Sequence, residues 1–164
     1  CVPLMINDLS KDLRRTQMIA KVVTNKYHEG RRIIVLSHVK NLLDELCVVC
    51  QTLGVPSDAM AVFTGDLNRK QREDAKLRRI LLATYAIAKE GLDLEALDCE
   101  IMATPLGDVE QAVGRVQRPC KHKPTPQVVD VLDPFSVFVH TGRKRKRYYE
   151  SKNFRVVEQV TDGR

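Results

Sequence analysis

The chain has 164 residues, a length that suits one compact domain. Its 43% hydrophobic and 29% charged residues form an ordinary globular balance with enough apolar mass for a core. No apolar run approaches the roughly 18 to 20 residues of a membrane span, and the first residues are not a charged-then-apolar signal segment. The formal charge of +6 favours a polyanionic partner without fixing the fold. Five cysteines, an odd number, do not read as a secreted disulfide framework, so the expected setting is reducing and intracellular.

Residues 9 to 28 read as a helix, with Leu9, Leu13, Ile19, Val22, Val23 and Tyr27 near helical spacing and Gly30 as a stop. Ile33-Ile34-Val35-Leu36 is a continuous apolar run of strand length, as in strands buried on both faces. Leu42, Leu43, Leu46, Val49, Cys50 and Leu53 mark a second helix, closed by Gly54 and Pro56. Residues 60 to 63 form a second strand, Asn68 to Lys76 a polar helix, residues 80 to 83 a third strand and 100 to 103 a fourth. Gly107 to Gln117 reads as a helix and 127 to 132 as a fifth strand. A helix near 134 to 150 and a strand near 154 to 160 complete the expected order. Alternating short strands and helices predict an α/β fold, a mainly parallel sheet with helices on both faces. Cys47 and Cys50 form a CxxC, and Cys120 with His122 could add two zinc ligands. The pair lies inside an amphipathic helical pattern, however, where free cysteine is commonly a small apolar residue, and no metal site is assigned.

In open sheets of this kind ligands bind beyond the carboxyl ends of the strands, and that is where the informative segments fall. Thr84 follows a strand and leads into Glu90-Gly91-Leu92-Asp93, and Gln111-Ala112-Val113-Gly114-Arg115-Val116-Gln117-Arg118 follows the next strand. Gln111, Arg115 and Arg118 share one helix face, and guanidinium groups pair with phosphate oxygens through two parallel hydrogen bonds. Gly91 permits a close backbone approach. Asp93 is a carboxylate that accepts hydrogen bonds, as from ribose hydroxyls, or caps a turn. Thr84, Ser37 and Thr64 stand at strand ends where a hydroxyl can reach a nucleic-acid phosphate, with helix N-capping the plainer alternative for Ser37 and Thr64. Arg72 either touches a strand as well or is solvated. The run from Arg143 through Lys144 and Arg145 to Arg147 either holds phosphates or forms a solvated helix face, with Tyr148, Tyr149 and Phe154 packing inward.

These segments resemble motifs of superfamily 2 DEAD/DEAH-like helicases. Thr84 to Asp93 is similar to motif V, and Gln111 to Arg118 matches the QxxGRxxR of motif VI. Ile34 to Ser37 resembles motif IV, and Phe63 to Gly65 the end of the motif IVa strand. The order and spacing cover nearly the whole chain. The resemblance implies a RecA-like three-layer sandwich, the C-terminal one of two such domains. It implies Arg118 as the arginine finger, Arg115 as a second γ-phosphate contact, Gln111 at the ATP site, Gly91 and Asp93 beside the nucleotide, and Thr84 on the nucleic acid. ATP and Mg²⁺ are implied as cofactors. They are shared with an N-terminal RecA-like domain expected before Cys1, because the chain has neither a GxxxxGKS/T phosphate loop nor a DExD/H box. The chain by itself is then expected to be an inactive fragment of a helicase. The segment from 127 to 157 is similar to tails of viral, phage and repair-type helicases, which favours DNA over RNA and suggests large DNA viruses of the poxvirus or asfarvirus kind. That places the protein in cytoplasm or nucleus, or in host cytoplasm or virion. A nucleoprotein-remodelling ATPase and a standalone nucleic-acid-binding module are the competing readings.

Overall fold

The computed structural model describes residues 1–92 and 94–161. Two helices open the chain, α1 (Val2–Leu9) and α2 (Leu13–His28), with the Asp12 side chain accepting from the backbone N–H groups of Arg14 and Arg15 to start the second. The sequence pattern gives one helix over residues 9 to 28 and none before it. The structure instead places Pro3 in the first turn of α1, where its missing N–H is not needed. A break at 10–12 then lets Asp12 cap α2.

Five strands follow: β1 (Ile33–Ser37), β2 (Met60–Phe63), β3 (Ile80–Thr84), β4 (Cys99–Met102) and β5 (Gln127–Asp130). They form one sheet in the order β2-β3-β1-β4-β5, every neighbouring pair parallel. Helix α3 (Lys40–Thr52) links β1 to β2, α4 (Arg69–Lys76) links β2 to β3, α5 (Tyr85–Gly91) follows β3, α6 (Glu110–Val116) follows β4 and α7 (Val137–Ser151) follows β5.

Residues of the central strands β1, β3 and β4 alternate between two buried faces, the reason that β1 and β3 read as unbroken apolar runs. Ile33, Val35, Ile80, Leu82, Cys99 and Ile101 face a core completed by Ile19, Ala20 and Val23 of α2 and Leu42, Leu43, Leu46 and Cys50 of α3. Ile34, Leu36, Leu81 and Ala83 face the opposite core, with Ala75 of α4, Ala88 of α5 and Val116 of α6. The result is the expected three-layer α/β sandwich. Cys50 is thus a core residue, and burial pushes its thiol up to about 11; the sulfur of Cys47 lies 4.0 Å from that of Met60.

Residues 154–160 form no strand, contrary to the alternation in the sequence. A strand needs a neighbour to complete its backbone hydrogen bonds, and this segment has no ladder in the sheet; Val157 and Val160 stand exposed. Phe154 does pack inward, edge-on to Tyr149 with ring centroids 5.9 Å apart.

Candidate nucleotide and strand-binding faces

The order of the parallel strands reverses at β1, with β3 on one side and β4 on the other, and the groups gathered at that carboxyl edge are polar. Ser37 pairs in register with Thr84. Thr84 caps α5, its hydroxyl accepting from the Ile87 N–H at 3.3 Å, and it remains partly exposed. Thr64 is also partly exposed, with Asp66 hydrogen-bonded to it. Ser37 departs from expectation: it is fully buried, and its hydroxyl donates to the Val39 carbonyl at 3.0 Å and accepts the Val39 N–H at 2.9 Å. Both hydrogen-bonding capacities serve the local turn, so Ser37 shapes this edge and does not reach a phosphate.

His38 is exposed, and its backbone N–H and ring Nδ1 both lie 2.9 Å from Thr104 Oγ1. Its ring packs on Tyr85 with centroids 4.6 Å apart, and the Tyr85 hydroxyl donates to the Thr104 carbonyl at 2.7 Å. Partial burial holds the imidazole below its usual value, which keeps it neutral at pH 7. The motif pattern in the sequence does not single out His38, Tyr85 or Thr104. A signal exists nonetheless, because all three stand at the ends of adjacent strands.

Helix α6 carries the second group. Gln111 is exposed on it, and Arg118 is exposed just past its end, where the Arg118 carbonyl accepts from Lys123 Nζ at 2.7 Å. Arg115 turns inward between them. Its Nη1 donates to the Ala88 carbonyl at 2.6 Å and the Leu92 carbonyl at 3.0 Å, tying α6 to the end of α5. Gly91 closes α5; Asp93 lies outside the described residues. Beneath α6, on β4, Glu100 is fully buried, and neither carboxyl oxygen has a hydrogen-bond partner among the described residues. Burial pushes its carboxyl up to about 8, and only the nearby Arg115 charge acts the other way.

The basic run on α7 divides by helical period. Arg143, Lys144 and Arg147 are exposed. Arg145 is 1% exposed, against expectation, because positions 138, 142, 145 and 149 form the inward stripe of α7. Its guanidinium grips the Asp130 carboxylate with two bonds of 2.8 and 3.0 Å and donates to the Leu106 carbonyl at 3.0 Å. A buried, fully paired arginine binds no phosphate, so Arg145 leaves the strand-binding set. Arg72 likewise has a structural role, bonding the Leu67 and Gly65 carbonyls at 3.0 and 3.1 Å.

These outward groups fit the phosphate end of a nucleotide through Arg118 and Gln111. Among the described residues no cluster of three or more His, Cys, Asp or Glu could hold a metal. No described helix is long and apolar enough to cross a membrane.

No family model matches the chain. It is 25% identical over 153 residues to a putative ATP-dependent RNA helicase of Acanthamoeba polyphaga mimivirus, covering 93% of this chain and 30% of that protein. Its fold matches T4 UvsW with a TM-score of 0.77 at 18% identity, over 98% of this chain and 37% of that one. It also matches the C-terminal domain of the DEAD-box protein Dbp5, with a TM-score of 0.60 at 15% identity, over 81% and 79% of the two chains. The chain therefore spans about a third of the mimiviral relative and of UvsW.

Proposed function

We infer that this chain, whose fold is that of the C-terminal RecA-like domain of superfamily 2 helicases, is the C-terminal motor domain of an ATP-dependent nucleic-acid helicase or translocase. One observation carries the reading. Arg115 physically joins the motif VI helix to the motif V segment, while Gln111 on that helix and Arg118 just past its end are exposed.

Phosphoryl transfer is catalysed mostly by positioning and by neutralising charge on the transferred group. Arg118 suits that role. It is exposed, permanently charged, and at the end of a helix fixed at its other face by Val113 and Val116 in the core. Gln111, about two turns earlier, is placed to orient the same nucleotide, and Gly91 and Asp93 are proposed beside its ribose. ATP hydrolysis supplies the driving free energy when the N-terminal domain holds the nucleotide and Mg²⁺. Arg115, held by two carbonyls, transmits the position of α6 to α5 and so to Thr84, the cap of α5.

The carboxyl edge is the proposed strand contact. Thr84 and His38 offer neutral donors to the backbone, with Thr64, whose hydroxyl is given to Asp66, beside them, while Arg143, Lys144 and Arg147 supply charge. DNA is the expected strand. The full-length protein should hydrolyse ATP faster with single-stranded DNA present and should separate a tailed duplex; the isolated chain should do neither. Stimulated hydrolysis without strand separation would instead identify a nucleoprotein-remodelling ATPase. Strand binding with no hydrolysis would identify a binding module.

A further inference from the structure

Among the described residues Phe135 alone of the phenylalanines and tyrosines is exposed, at 47%. It stands between β5 and α7, at the carboxyl edge of the sheet. Its ring lies edge-on to Phe138 with centroids 5.6 Å apart, and the buried Phe138 packs with Val39, the neighbour of His38. Its backbone N–H donates to the Asp133 carbonyl at 2.9 Å. The Asp133 carboxylate holds Arg15, Arg15 donates to the Ala103 carbonyl, and the adjoining Thr104 carries both bonds to His38. One buried support thus fixes the exposed ring and the end of β1 together. A scattered apolar side chain at a surface calls for no explanation, but this ring also borders a row of cations. His140, Arg143 and Arg147 follow along α7 at intervals of three and four, one helix face, and all three are exposed. That face lies across the helix from the inward stripe of Phe138, Gly142, Arg145 and Tyr149. Arg143, Lys144 and Arg147 have no hydrogen bond or ion pair among the described residues, whereas Arg15, Arg72 and Arg145 are each tied into the fold.

We propose that Phe135 is a stacking platform for one base of a single nucleic-acid strand, whose backbone continues along the outward face of α7 over Arg143 and Arg147. Aromatic rings accept any base on their faces while cations follow the phosphates, and this surface sets the two side by side. Charge selects the occupant: a rigid ring beside three unpaired cations suits a polyanion that also carries flat apolar faces. A duplex keeps those faces stacked on one another, so the ligand is a single strand.

The platform rests on the helicase reading for the nature of its ligand but not on ATP turnover. Anisotropy of the full-length protein tests it, with labelled oligo(dT) and with a strand of equal length that is abasic throughout. The variants are Phe135→Ala, Phe135→Leu, Phe135→Trp and Arg147→Ala. Leucine keeps apolar packing on Phe138 without the flat ring, so its effect is not one of folding. Phe135→Ala and Phe135→Leu should each weaken oligo(dT) binding about tenfold, the scale of one lost base–aromatic stack. They should leave the salt slope and the affinity for the abasic strand unchanged, and Phe135→Trp should bind oligo(dT) at least as well as wild type. Arg147→Ala should weaken both strands alike and lower the salt slope by about 0.7. Equal losses on both strands in Phe135→Leu, or no loss on oligo(dT), overturn the proposal. Base-dependent binding by a protein that hydrolyses no ATP upholds the platform and overturns the motor. Strand-stimulated ATPase whose half-saturating oligo(dT) concentration is the same in Phe135→Leu upholds the motor and overturns the platform.

Discussion

His38 shows how a single side chain can be arranged for contact without charge. Thr104 Oγ1 accepts the His38 backbone N–H and lies 2.9 Å from ring Nδ1, and a neutral imidazole whose Nδ1 accepts the Thr104 proton carries its own N–H at Nε2. A neutral donor displaces no counterion. His38→Ala is therefore expected to weaken single-strand binding by a few-fold at every salt concentration, with the slope of affinity against salt unchanged; fluorescence anisotropy across a salt series checks this. Glu100 makes a stability prediction at the same scale. Its folded value, about 8, lies above the ordinary carboxyl value of 4.5, so the native state holds the proton over that interval and the unfolded state does not. Stability thus falls as pH rises from about 4.5 to 8, by on the order of a few kcal/mol. Urea midpoints of Glu100→Gln at pH 5 and pH 8 should differ much less than those of the wild type, and equal differences would contradict the assignment. Neither residue could be valued from sequence. A histidine at a strand end and a glutamate inside an apolar run acquire meaning only through what the fold sets against them.

Among the elements, buried ion pairs join helices to strand ends. Arg15 on α2 grips Asp133 with bonds of 2.7 and 2.9 Å and donates to the Ala103 carbonyl at 2.6 Å, fastening α2 to the segment after β5 and to the end of β4. Removing one partner strands a buried charge, a loss of about 3 to 5 kcal/mol; Asp133→Ala should lower the unfolding free energy by that much, measured by urea titration. Helix α7 gives the sharper contrast. Arg143→Ala should reduce the salt dependence of strand binding and barely move stability, whereas Arg145→Ala should unfold the chain more readily by a similar few kcal/mol. In sequence the two belong to one basic run, and the period of 3.6 residues separates them only once the inward stripe of Phe138, Gly142, Arg145 and Tyr149 is known. The strands β1 and β3 were legible because burial on both faces makes each an unbroken apolar run. The segment 154–160 reads the same way locally, yet pairing is a long-range property that local pattern does not specify. Helix α1 is not legible locally because its apolar contacts, Ile6 and Leu9 against Phe138, are made across nearly the whole length of the chain.

At the level of the whole molecule, the parallel sheet gathers the polar strand ends at one edge and leaves α6 to present Gln111 and Arg118 along a flank. The motifs that announced this were legible in sequence because they are short and their spacing follows the strand order. The different placing of the two arginines was not, since Arg115 turns inward to α5 and Arg118 outward only through the register of α6 on the sheet. The central claim is that this outward arginine completes a phosphoryl-transfer site with a second domain. It is tested most directly by strand-stimulated ATPase of the full-length protein, wild type beside Arg118→Ala. The expected result is a loss of roughly 10³-fold or more in turnover with strand affinity retained. Near-normal turnover in the variant would contradict the assignment of Arg118 as the finger.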